Sequence, residues 1–109
     1  MRGGLNELAD RIAAATGSDR ELDVALARMF GGGEPPPDYT SSVDRCIELV
    51  HAVMPGWAWH VGWNATGILP YASLHHGTEL AEAAAPTVPL ALLRALLQAR
   101  LAAGIPARR

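Results

Sequence analysis

Four histidines, a single cysteine and two groups of carboxylates (Asp19, Glu21 and Asp23, and the i,i+4 pair Asp44 and Glu48) are the residues that could do chemistry in this 109-residue chain. A zinc site needs three or four converging ligands. His75 and His76 are adjacent, so in a strand they point to opposite faces and cannot both chelate easily. Cys46 and His51 fall about 140° apart around a helix, which suits no shared metal. His60 and His75 are the pair that a hairpin would bring face to face. With one carboxylate they would form the site of a small metal-dependent hydrolase. Cys46 sits near Val43 and Ile47 on an apolar stripe, whereas a nucleophile needs exposure and a base beside it. Ser41, Ser42 and Ser73 lie in no G-x-S-x-G frame. Asp19, Glu21 and Asp23 open a helix, where acidic side chains oppose the positive end of the dipole. Gly31-Gly32-Gly33 runs into prolines and not into Gly-Lys-Ser/Thr, so it is no phosphate loop. The expectation is no catalytic residue, no metal ligand and no cofactor.

Recognition is the stronger signal. Trp57, Trp59 and Trp63 alternate with Ala58, His60 and Gly62, which puts all three indoles on one face of a strand. That face either covers the core or binds a protein or ligand, since tryptophan buries much area with little loss of side-chain entropy. A second surface is expected on the last helix. Leu90, Leu92, Leu93, Leu96, Leu97 and Leu101 span more of its circumference than one core contact requires. Leu93 and Leu97 would then meet a second copy of the chain or a partner protein, with Arg94 and Arg100 flanking the contact.

The elements that must position these residues follow from period and punctuation. Residues 5–16 carry an apolar helical stripe of Leu5, Leu8, Ile12 and Ala15. Ser18, with Glu21 three residues on, reads as a capping box for a second helix through Leu22, Ala25, Leu26 and Met29. Residues 31–38, GGGEPPPD, form a loop or linker between these front helices (5–30) and a helix-hairpin-helix body (39–104) within a single domain, 1–109. A third helix spans about 42–54 and ends at Pro55-Gly56. Strands at 57–63 and 68–75 flank a turn at Asn64-Ala65-Thr66-Gly67 and make a hairpin. Ala-rich residues 79–85 read as a short helical turn, and 88–103 as the final helix ending at Gly104, before a tail from Ile105 to Arg109. The fold class expected is α+β, a small antiparallel sheet packed with three to four helices.

Composition removes whole classes of function. Half of the residues are hydrophobic and 18% are charged, as in a globular domain and unlike a disordered one. The formal charge is -2, and the nine basic residues, all arginine, are dispersed. A phosphate-reading surface needs a basic stripe, so nucleic acid is not the expected partner. No run approaches the length of a membrane span, and charges interrupt the first residues where a signal peptide would be apolar. One cysteine permits no internal disulfide, so a cytoplasmic location is expected.

The run Tyr39-Thr40-Ser41-Ser42-Val43-Asp44, then Glu48-Leu49-Val50 and Pro55-Gly56-Trp57-Ala58-Trp59, resembles a group of small phage and prophage proteins with the phage ABA sandwich domain. Ala15-Thr16-Gly17-Ser18, Arg20-Glu21-Leu22-Asp23 and Pro89-Leu90-Ala91-Leu92 are similar as well, while the 31–37 insert departs from that pattern. The resemblance implies a helical front segment before a helix-and-strand sandwich, and a phage setting, with no catalytic residues to carry over. The function expected is a non-enzymatic, protein-binding accessory or inhibitor protein of phage or mobile-element origin. The alternatives are a structural component of a virion or particle, and the metal-dependent hydrolase above.

Overall fold

An aspartate and a glycine set the two ends of the second front helix. The computed structural model describes residues 3–104, so the tail expected from Ile105 onward lies outside the described residues. Helix α1 is Gly3–Ala14, with Leu8 and Ile12 buried on its inner face. Helix α2 is Arg20–Phe30. Its cap is Asp19 and not Ser18: the Asp19 carboxylate accepts from the backbone N–H of Glu21 and Leu22, at 2.9 and 3.3 Å. Both residue types cap well, and the extended backbone at Asp19 puts its oxygen over the first turn. Gly31 closes α2 in the left-handed region (φ 75°), where glycine carries no Cβ penalty.

The 31–38 segment is tied down. Gly32 N–H donates to the Ala27 carbonyl, and a Cβ at Gly32 would run into the Tyr39 hydroxyl and Ala27. Arg20 reaches across to the Pro36 carbonyl. A 3-10 turn, Tyr39–Ser41, follows, then helix α3, Val43–Val53, capped by Ser42 through the Arg45 N–H. Cys46, Leu49 and Val50 are the buried face of α3.

The sheet has a strand more than the expected hairpin. Strands β1 (Ala58–Trp63), β2 (Pro70–His76) and β3 (Glu79–Ala84) form an antiparallel meander in the order β1-β2-β3. The Ala-rich stretch read as a helical turn is β3. Gly77-Thr78 is a two-residue turn between His76 and Glu79, and Gly77 takes φ 63° at its first position, which sends the chain straight back along β2. Ala81 is buried and Ala83 half-buried on the face of β3 that carries α4. Location in the sheet outweighs the helical preference of alanine.

Helix α4, Val88–Gly104, is the centre of the molecule. It lies across β2 and β3 on one side and meets α1, α3 and the 3-10 turn on the other. Contact on both sides explains its wide apolar surface: Leu90, Leu92, Leu93, Leu96 and Leu97 are all buried within the chain. Leu93 and Leu97, expected to face a second copy or a partner, are core residues and are unavailable to either. One cluster of buried residues joins α1 and α2 to α3, the sheet and α4. The fold is therefore α+β, with an antiparallel sheet on one face of a helical layer.

Candidate functional site

The tryptophans remain as the candidate surface, and the register explains their exposure. Trp59, Val61 and Trp63 pair with Leu74, Ala72 and Pro70, so they share the face of the sheet on which α4 packs. Yet α4 covers β2 and β3 and leaves β1 outside its span. Leu74 and Ala72 are therefore buried, while Trp59 is 39% and Trp63 66% exposed. The turn that follows continues the apolar surface, with Ile68 at 72% and Leu69 also exposed. That turn is ordered by Asn64, whose side-chain oxygen accepts from Thr66 Oγ1 at 2.7 Å and from the Ile68 and Leu69 N–H groups. Trp57 is different: it is half-buried and stacked on His76, with ring centres 5.6 Å apart. It lines an open groove of about 520 Å³ with Leu80, Ala99 and Ala103, and Glu79 sits at the rim.

The arginines expected to flank a contact do other work. Arg94 is half-buried and donates to four carbonyls: Ile12 and Ala13 in α1, Ala15 just beyond it, and Ala84 at the end of β3. It is a clamp inside the fold. Arg100 is half-buried further along α4.

On the opposite face of the sheet, His60, Ser73 and Glu82 form a row across the three strands. Ser73 stands between the other two, so a serine-histidine-carboxylate relay, which needs the histidine in the middle, is not formed. Glu82 instead accepts from the Tyr71 hydroxyl at 2.7 Å, and this hydrogen bond, ahead of burial, raises the Tyr71 pKa. His60 and His75 share this face but are diagonal neighbours, since His75 lies opposite Ala58. Among the described residues no group of three or more His, Cys, Asp and Glu is placed to hold a metal ion.

Cys46 is buried, and its Sγ donates to the Tyr39 carbonyl at 3.0 Å. Burial, then the charges of Asp23 and Asp38, pushes the thiol from 9.0 up to about 12. Thiolate is the reactive form, so a water-soluble thiol reagent at pH 8 is expected to label the folded chain at least about 100-fold more slowly than the unfolded chain. The raised value also fixes a sign. Below the unfolded pKa both states hold the proton. Between pH 9 and about 12 the folded state alone holds it, so stability falls as pH rises through that window, by about 1.4 kcal/mol per pH unit. Rapid stoichiometric labelling at neutral pH would contradict the burial.

Sequence reasoning missed a buried polar node beside the core. Asp23, expected only to oppose the helix dipole in the first turn of α2, is 1% exposed. Its Oδ1 accepts from both the N–H and the hydroxyl of Thr40 at 2.8 Å, and its Oδ2 accepts from Arg20 at 2.9 Å. Thr40 Oγ1 in turn accepts from the Asp19 N–H. The available signal was spacing: Asp23 follows Leu22 and precedes Leu26 by three residues, close to the apolar stripe.

Fold and surface together define a small α+β protein with a three-stranded meander, a buried central helix and an uncovered aromatic strand edge. No protein-family model matches the chain, and no curated protein or solved structure matches it either. No helix among the described residues is long and apolar enough to cross a membrane.

Proposed function

We propose that the protein is a non-enzymatic, protein-binding accessory or inhibitor protein of phage or mobile-element origin, acting in the cytoplasm by covering a surface on another protein. One observation carries the reading: Trp59, Trp63 and Ile68 are exposed on a continuous stretch of β1 and its turn, beyond the reach of α4. Large aromatic side chains left in water next to a rigid strand are the usual anchors of protein contacts. The phage setting rests on the sequence resemblance alone.

The reading makes Trp63 a contact residue with little structural duty. Trp63→Ala is expected to change unfolding free energy by no more than about 2 kcal/mol, because two thirds of the side chain is already in water. Combined with Ile68→Asp, it is expected to abolish capture of a partner from host lysate by immobilised protein. Urea unfolding and capture, measured on the same preparations, check both halves. A partner still captured by the double variant removes this surface from the function. A loss of several kcal/mol on W63A would make the indole part of the core.

A further inference from the structure

The strand edge beneath these tryptophans is self-complementary. Asn64 N–H donates to the Leu69 carbonyl, which fixes the hydrogen-bonding phase of the β1–β2 ladder. Ala58, His60 and Gly62 therefore direct their N–H and C=O groups to β2, and Trp59, Val61 and Trp63 direct theirs outward from the sheet. Among the described residues no strand pairs with that side. The segment Trp59-His60-Val61-Gly62-Trp63 also has a symmetric pattern about Val61. If a second copy meets it antiparallel with Val61 on the twofold axis, Trp59 falls opposite the other copy's Trp63, and Val61 opposite Val61. On the other face His60 falls opposite Gly62, a large side chain over an empty position. This register uses all three outward residues of each copy and forms about six backbone hydrogen bonds. Shifting it by two residues loses bonds and separates the indoles.

We infer that β1 pairs with β1 of a second copy, joining two meanders into one six-stranded antiparallel sheet. The inference rests on the contact reading of the tryptophan edge and names the occupant of its strand.

Three further observations favour a second copy. First, the other edge is protected and this one is not. On β3 the outward Ala84 carbonyl is taken by Arg94 at 2.9 Å, and Glu82 places a carboxylate on that strand. No charged residue or proline interrupts β1, the usual means of keeping an edge from pairing. Second, a like-to-like contact requires that no net charge be brought together, and β1 carries no Asp, Glu, Lys or Arg. Third, the area is sufficient. At about 250 Å² for an indole side chain, the exposures of Trp59 and Trp63 leave roughly 250 Å² uncovered per chain. With the strand backbones and His60, two copies reach about 1,000 Å² in total, the lower bound of specific interfaces. A contact at that lower bound belongs with weak, reversible associations. Ile68 would remain at each end of the joined sheet, free for a different protein.

The test is light scattering on the purified full chain from about 5 to about 500 µM, a range wide enough to see a weak dimer form and dissociate. The wild-type mass is expected to rise from one chain to two. Val61→Pro removes an outward N–H and leaves the β1–β2 ladder intact, so it is expected to stay monomeric with an unchanged circular dichroism spectrum. Trp63→Lys places a charge on the exposed edge and provides a second monomeric variant if V61P does not fold. A wild-type chain that stays monomeric over the whole range overturns the inference, as does a dimer that survives Trp63→Lys. A monomeric wild type that still captures a partner through Trp63 and Ile68 overturns self-pairing and leaves the contact surface standing.

Discussion

Asp23→Ala is expected to lower the unfolding free energy by about 3–4 kcal/mol, the larger of the two structural effects predicted from polar groups. The carboxylate is buried, and its Oδ1 satisfies both donors of Thr40. Alanine would leave the buried Thr40 N–H without an acceptor, and a stranded buried donor costs about 1–3 kcal/mol. Loss of the charge-assisted bond from the hydroxyl adds to this. The Arg20 contact contributes little, because the Arg20 side chain is 59% exposed and water screens it. Asp23→Asn keeps an oxygen for Thr40 and gives up mainly the ion pair, so it is expected to cost about half as much or less. Thr40→Val keeps the N–H bond and loses the hydroxyl, and D23A with T40V should cost less than the two single effects added. Urea denaturation of the four variants measures the coupling. Additive losses, or an Asp23→Ala cost below about 1 kcal/mol, would show that the node does not join α2 to the 3-10 turn as described.

Local signals were legible where local physics decides the outcome. The apolar stripe of Leu8 and Ile12, the Pro55-Gly56 stop of α3 and the extended conformation of the tryptophan segment all agree with the structure, although β1 begins at Ala58 and not at Trp57. They depend on period and punctuation within a few residues. Elements decided by long-range contact were read less well. Residues 79–84 have the composition of a helix and become a strand because a two-residue turn delivers them to β2 beneath α4. The leucines of α4 look like a surplus only when one side of the helix is counted. With the sheet on one side and α1 and α3 on the other, Leu93 and Leu97 are fully used inside the chain.

The candidate surface divides in the same way. The common face of Trp59 and Trp63 follows from alternation. Their exposure does not, since it depends on how far α4 reaches across the sheet. Trp57 shares their parity but stacks on His76 at the groove. Trp57 lies just before β1, so place along the chain separates residues that sequence periodicity treats alike. Arg94 and Asp23 are further cases, as their partners lie in distant parts of the chain and no spacing rule reports them.

Arg94→Met is expected to cost about 2–3 kcal/mol, with the loss concentrated at α1. Methionine keeps most of the aliphatic stem and removes the guanidinium, which isolates the hydrogen bonds from side-chain burial. Three of the four carbonyls lie at the C-terminal end of α1 or just beyond it, where a helix leaves acceptors unsatisfied and carries partial negative charge. The fourth, from Ala84, belongs to the edge of β3. A single cation therefore holds α1, α4 and the sheet at one point. Individual bonds to a charged donor contribute about 1.5–3 kcal/mol, but the site is half-open and water replaces part of the loss. For a domain of this size, the deficit corresponds to a fall in melting temperature of about 10–20 °C. Arg94→Lys keeps the charge without the five-donor fork and should recover less than half of the difference. Hydrogen exchange then locates the effect. Amides of α1 should lose protection in R94M while those of β2 follow the global loss alone. Uniform loss across the chain, or a change below about 0.5 kcal/mol, would return Arg94 to the role of a surface arginine.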